Sequence, residues 1–249
     1  MSSHSSTRRR APAWLITDPR AVDTDLGLLK TGKEADTHLV ERRFGERHHL
    51  LACKRYRGVE HRQFRNDAAY RAGRRTGNRR DDLAMAKGTR AGMRMRAEGW
   101  ALREFKTLRR LWEAGASVPY AVTCEGAEVL MEFVGSEKRA APRLVEAARE
   151  PGLDYSDLWL QCVDLLRLMV RRGVVHADLS PYNLLVWHRR LVAIDFPQAV
   201  DLGLNDQDLE LLERDVRNVA GFFATRRVST DADELFADLI SFIPWPTYL

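Results

Sequence analysis

The stretch VVHADLSPYNLLVWHRRLVAIDFPQAVD, residues 174–201, holds three groups suited to phosphoryl transfer. Asp178 and Asn183 stand five residues apart, and Asp195 closes the apolar run L-V-A-I-D. An aspartate that accepts a hydroxyl proton, joined by amide and carboxylate oxygens for a hard cation such as magnesium, is the polar core such a reaction needs. The transferred group carries spread negative charge, so positioning and charge neutralisation supply most of the catalysis. Two short apolar runs, 184–187 and 191–194, flank His188, Arg189 and Arg190 and predict a hairpin. Its two ends lie side by side, which would bring Asn183 and Asp195 together. His176 is expected to brace this loop by hydrogen bonding. Tyr182 is expected in packing, and Gln198 and Asp201 as braces of the metal loop.

The whole chain sets the limits for this reading. Its 249 residues suffice for one large domain or two small lobes. No apolar run approaches the length of a membrane span, so no membrane partner is expected. The N-terminal MSSHSSTRRR lacks an apolar core, so a secretory signal is not expected. Cys53, Cys124 and Cys162 are widely spaced with no C-x-x-C, the pattern of reduced thiols in a cytoplasmic protein. The charge is uneven. Of 40 basic and 35 acidic residues, 18 and 6 fall within 54–110, a local balance of +12 against −7 elsewhere. Such a segment could hold RNA or an acidic partner, or could be a solvated arginine-rich surface.

Working outward, residues 1–13 read as a disordered tail. The segment T-G-K (Thr31, Gly32, Lys33) could wrap phosphate through successive backbone N–H groups, although it is neither a Walker A motif nor G-x-G-x-x-G. Alternating apolar residues predict strands near Leu39 and Val40 and over 49–57, with a turn over 44–47. Lys54 ends the run L-L-A-C-K; it either points from a sheet toward phosphate or lies on a surface strand. Residues 57–95 read as a long loop. A helix follows over 96–113, its apolar face drawn through Leu102, Phe105, Leu108, Leu111 and Trp112, with Gly115 ending it. Glu104 lies beside that face. It could pair with Lys54 or with a surface arginine one turn away.

Residues 118–122 and 128–135 predict two strands turning at Glu125 and Gly126. Met131 would line the back of a pocket, with the backbone near Glu132 and Val134 open to an adenine edge; the alternative is a plain buried strand. Helices are predicted from Asp154 or Ser156 to 172, over 206–223 and over 231–242.

Five stretches carry a resemblance. TGKEAD (31–36), REFKTLRRLWEAGASVP (103–119), VVHADLSPYNLLVW (174–187), VAIDFPQAVD (192–201) and ERDVRNVAGFF (213–223) resemble the RIO family of atypical serine/threonine protein kinases, over about residues 25–225. The resemblance implies an α+β, two-lobed, protein-kinase-like fold. It has a small β-rich N-lobe with one main helix, a mostly helical C-lobe and no long activation loop. The lobes would be 14–135, with a flexible basic loop over about 57–95, and 136–249. It further implies Asp178 as catalytic base, and Asn183 and Asp195 as metal ligands. Lys54, oriented by Glu104, would hold ATP phosphates. Thr31, Gly32 and Lys33 would form a shortened phosphate loop, and Met131, Glu132 and Val134 the adenine hinge. In members that act as ATPases through a phospho-aspartate, the acceptor maps to Asp195. The family often has Ser where Thr31 stands, which keeps a hydroxyl. I-D-F-P-Q resembles one subgroup and H-A-D-L-S another, so the subfamily stays open.

The function expected is an ATP- and Mg2+-dependent serine/threonine kinase, with Mn2+ as the alternative cation, acting on a protein or on itself. Two other readings stand beside it: a small-molecule kinase of aminoglycoside or choline type, and a nucleotide-gated module binding RNA or a ribosomal particle through 54–110.

Overall fold

Alternation of side chains across a pleated strand explains the larger sheet. The computed structural model describes residues 10–58, 89–147, 152–203 and 205–243. These fall into two compact units, one drawn from Ile16–Phe105 and Ala121–Phe133, the other from the residues up to Leu15, Lys106–Tyr120 and Val134–Leu249.

In the first unit, strands β1 (Val22–Thr31), β2 (Ala35–Phe44), β3 (Arg47–Tyr56), β4 (Ala121–Glu125) and β5 (Glu128–Glu132) form an antiparallel sheet in the order β1-β2-β3-β5-β4. Val40, Leu51 and Cys53 pack together on one face with Val122 and Leu130. The register puts Leu39, Ala52, Val129 and Met131 on the other. β1 was not legible as a strand. It is an edge strand, exposed along nearly all its length and bulged at Gly27, so it has no apolar alternation to read.

Helix α1 (Arg90–Glu113) begins six residues earlier than its apolar spacing predicts. Thr89 Oγ1 accepts the Gly92 N–H at 3.1 Å and closes the first turn, a capping signal that outweighs the arginines behind it. The part of the predicted 57–95 loop covering 59–88 lies outside the described residues, as does most of the predicted tail. The buried stripe of α1 also differs from the predicted one. It runs through Ala97, Trp100, Ala101, Glu104, Leu108, Leu111 and Trp112, whereas Leu102 is 45% exposed. A hydrophobicity count misplaces the stripe because one of its members is a carboxylate.

The strand predicted over 118–122 sits three residues later, as β4. Pro119 has no N–H for a ladder. Tyr120 is committed to packing, its ring edge-on to Trp112 at 4.8 Å and its hydroxyl bonded to Arg109.

The second unit is mainly helical. It contains β6 (Gly135–Ser136) paired with β7 (Arg139–Ala140), then α2 (Leu144–Ala147), α3 (Tyr155–Arg171), α4 (Asp206–Ala224) and α5 (Ala232–Ser241). Asp154, Asn205 and Asp231 cap the three longer helices by accepting first-turn N–H groups. Leu166, Met169, Phe196, Val216, Val219 and Phe223 are fully or almost fully buried, and Trp159 lies 5.3 Å from Phe223. Short strands β8 (Val174–Val175) and β11 (Val200–Asp201) pair with each other, as do β9 (Leu184–Trp187) and β10 (Arg190–Ala193). The β9–β10 turn is one residue tighter than predicted. His188 and Arg189 alone form it, at φ 47° and 62°, the paired left-handed conformation that matches strand twist in two-residue hairpins. Among the described residues, no helix is long and apolar enough to cross a membrane.

Candidate active site

The site residues fall into two groups, one in each unit. The first is built on β3 and α1. Lys54 and Tyr56 are two residues apart on β3 and share a face. Glu104 is 1% exposed, and its carboxylate receives both of them. Lys54 Nζ donates to Oε1 at 2.8 Å, and the Tyr56 hydroxyl donates to Oε2. Lys54 Nζ also lies 5.1 Å from the centre of the Tyr56 ring. Burial, then the Glu104 charge, push the Tyr56 phenol well above its ordinary pKa, so it stays a donor. Of the two readings open for Glu104 in the sequence, the ion pair with Lys54 is the one present. Tyr56 was missed; its only signal was its place two residues after Lys54.

Thr31 ends β1 opposite Asp36, which in turn pairs with Arg55, the neighbour of Lys54. Gly32 is not part of an open anion nest. Its N–H donates to the Ala35 carbonyl at 2.9 Å, and a Cβ there would come within 3.0 Å of that oxygen. Arg57 donates to the Gly32 carbonyl and to Asp36. This segment is therefore a closed turn between β1 and β2, with Lys33 exposed. Met131 is buried on the face that carries Lys54. Glu132 pairs with Leu51 in the sheet. The Val134 carbonyl, expected to be open, already accepts the Ala141 N–H at 2.9 Å, because β6 and β7 fold back immediately after it.

The second group is built around the β9–β10 hairpin. Asn183 precedes β9, and its carbonyl accepts the Ile194 N–H at 3.0 Å, tying the hairpin base shut just before Asp195. Asn183 Nδ2 donates to the Asp178 carbonyl at 2.8 Å and to Asp178 Oδ2 at 3.3 Å. Asp178, Asn183 and Asp195 therefore converge on one hairpin end. Asp195 itself stands at φ 73°, a left-handed conformation that aspartate tolerates better than most residues. His176 is fully buried, bonded through Nε2 to the Ile194 carbonyl at 3.1 Å, with its ring 4.5 Å from Phe196. Tyr182, expected in packing, is 55% exposed. Asp201 is ion-paired to Arg110 at 2.9 Å and pairs with Val174 in the β8–β11 ladder.

Burial raises the Asp178 pKa, and the Asp195 charge adds to it, against His176, Arg214 and Asn183, which lower it. A second layer holds the loop. Asp215 on α4 is fully buried and accepts the N–H groups of Ala177 and Leu179. Arg214 donates to the Ala177 carbonyl, and Asn218 donates to the Leu179 carbonyl at 3.2 Å. The run E-R-D-V-R-N carries these residues, but spacing alone does not reveal what they grip.

The donor set suits a hard cation. Asp195 offers carboxylate oxygens. With Nδ2 of Asn183 turned to Asp178, its Oδ1 is the amide atom able to ligate. No group of three His, Cys, Asp or Glu side chains fit for a metal exists among the described residues. Magnesium is commonly held by one or two protein oxygens, with phosphates and water completing the shell.

The sequence model of the RIO domain matches residues 40–235. The chain belongs to the RIO domain family. A RIO-type serine/threonine-protein kinase Rio1 of Haloferax volcanii is 34% identical over 227 residues, covering 91% of this chain and 72% of that protein. The Rio1 protein of Thermoplasma acidophilum is 33% identical over 136 residues, 55% of this chain and 69% of its own length. Among solved structures, the Rio2 kinase–ADP/Mg2+–phosphoaspartate complex from Chaetomium thermophilum matches with a TM-score of 0.65 at 19% identity. It covers 89% of this RIO chain, which spans 62% of that structure. At that identity the likeness is one of fold, and the fold is that of a protein kinase.

Proposed function

We propose that this RIO chain transfers the γ-phosphate of ATP to a protein hydroxyl, in an ATP- and magnesium-dependent serine/threonine kinase reaction. The observation that carries the proposal is the convergence of Asp178, Asn183 and Asp195 at the hydrogen-bonded base of one hairpin. Asp178 is the base that accepts the hydroxyl proton. Asn183 and Asp195 hold the magnesium, which neutralises charge on the phosphates when bound. Lys54, anchored by Glu104, binds the phosphates. The turn at Thr31, Gly32 and Lys33 borders them, and Met131, Glu132 and Val134 contribute to the adenine pocket. Residues 14–135 act as the nucleotide-binding lobe and 136–249 as the catalytic lobe. The relatives named as protein kinases favour this over a small-molecule kinase. Manganese, with the same preference for oxygen ligands, is the alternative cation.

Incubation with labelled ATP and magnesium should label a generic acidic or basic protein acceptor or the chain itself. Asp178→Ala should lower the rate by about 10²–10⁴-fold, the share of a positioned base. Unchanged turnover in that variant would sink the assignment. The chemical stability of the label identifies the acceptor. A hydroxylamine-labile phosphate that peptide mapping places on Asp195 is an acyl phosphate there; an acid-stable one is a serine or threonine ester.

Three free cysteines support a reducing, cytoplasmic setting. Binding to RNA or a ribosomal particle rests on the +12 balance over 54–110, of which 59–88 lie outside the described residues. Its check is the salt dependence of RNA affinity, since phosphate contacts require a steep one.

A further inference from the structure

The Lys54–Glu104 pair has a third member. We infer that Tyr56 is a positioning residue for phosphate binding: its hydroxyl occupies Oε2 of the buried Glu104 carboxylate and so orients the Oε1 that receives Lys54. This inference rests on the reading of Lys54 as the phosphate-binding lysine.

Glu104 is buried, and a buried carboxylate needs more than one donor to offset the loss of water. Lys54 satisfies Oε1 and Tyr56 satisfies Oε2. The two donors come from the same strand face, two residues apart, so β3 delivers both to one acceptor. The phenol is held in turn. Its ring lies 6.1 Å from Trp100, tilted by 44°, and Trp100 is one helical turn before Glu104 on α1. The ammonium sits 5.1 Å from the Tyr56 ring centre. Lysine, glutamate and tyrosine thus contact one another pairwise, with an indole beside the phenol.

The geometry has a chemical consequence. A carboxylate with both oxygens open offers an ammonium a choice between them, because the ammonium is a compact charge without the fork of a guanidinium. With Oε2 occupied by the phenol, Oε1 is the oxygen that receives the ammonium, and the carboxylate is held in one orientation toward it. A lysine that must also serve phosphate oxygens depends on that orientation, because its charge is compact and its stem flexible. Removing the hydroxyl frees Oε2 and lets the carboxylate and the ammonium it holds change their mutual orientation.

Tyr56→Phe isolates the hydroxyl, since the ring contacts with Trp100 and Lys54 are retained. Binding of Mg-ATP is measured by calorimetry, and KM for ATP by initial rates, for the wild type, Tyr56→Phe, Glu104→Gln, the double variant and Lys54→Ala. Thermal melts establish that each is folded. Tyr56→Phe should weaken Mg-ATP binding by about ten-fold, the scale of one hydrogen bond to a charged group, and raise KM for ATP with kcat changed far less. In the Glu104→Gln background, Tyr56→Phe should add little. A Tyr56→Phe variant with a lowered melting temperature but wild-type ATP affinity overturns the inference, as does an undiminished effect in the Glu104→Gln background. Lys54→Ala separates the two levels. If it leaves ATP affinity intact, the phosphate-site reading fails; if it weakens binding while Tyr56→Phe does not, only the role of Tyr56 fails.

Discussion

Asp215 holds Asp178 from behind: its two carboxylate oxygens take the N–H groups of Ala177 and Leu179, the residues on either side of Asp178, at 2.7 and 2.8 Å. Ala177 stands at φ 65°, a conformation costly for a residue with a Cβ, and these bonds, with that from Arg214, are what keep it there. The position of Asp178 is therefore set from α4, 36 to 38 residues along the chain.

Asp215→Ala leaves two buried N–H groups without an acceptor. A loss of about 2–5 kcal/mol of unfolding free energy is expected, from the cost of each orphaned group. Urea unfolding checks it. Phosphoryl transfer should fall in the variant even under conditions where it remains folded, because Asp178 loses its orientation.

Burial pushes the Asp215 carboxyl up from 3.8 to about 7, against the two amide hydrogen bonds and Arg214. A carboxyl whose pKa is higher in the folded state binds its proton more tightly there. Its contribution to stability is full below the unfolded value and is lost as pH rises through the folded one. Asp178, also raised by burial, acts with the same sign. Unfolding free energy should therefore decline between about pH 4 and pH 7 through Asp215. In Asp215→Asn the slope should flatten. Urea melts at several pH values measure both, and an identical slope in the variant would remove Asp215 as its source.

If Lys54 binds phosphate as proposed, the Lys54–Glu104–Tyr56 triangle should matter more to ATP binding than to stability. Lys54→Met alone strands a buried carboxylate, with a cost of about 1–3 kcal/mol, because Lys54 keeps some solvent contact and Tyr56 still donates. Replacing all three by Met, Leu and Phe removes the buried carboxylate together with the two donors it receives here. That triple variant should melt at or above the temperature of Lys54→Met while failing to bind ATP. Melts and calorimetry on the two proteins decide it.

His188 and Arg189 hold left-handed backbone without being glycine. Arg189→Gly should stabilise by about 0.5–1 kcal/mol by relieving that conformation, offset in part by the entropy of the unfolded glycine. Activity should be unchanged, because the turn is at the opposite end of the hairpin from Asn183 and Asp195. A fall in melting temperature would show that Arg189 has packing worth more than the strain.

What could be read from the sequence was local. Asp178, Asn183 and Asp195 were legible because a hairpin joins points that are near in the chain. Asp154 and the α3 stripe were legible because caps and 3.6-residue periods involve residues within one or two turns. Lys54 was visible as a candidate, and Glu104 as one of two alternatives. Tertiary structure decided the rest. Glu104 is interior and Leu102 exposed because the α1 stripe passes through a carboxylate that finds two donors on a strand about 50 residues away. Gly32 closes a turn because of where Ala35 sits, and β1 is a strand only because β2 offers it an edge. Asp215 looked like one acid among many on a helix until the loop it grips was in place. Periodicity reports the neighbours that a repeating backbone forces together; the partner of a buried polar group is chosen by packing between distant segments, which no spacing encodes.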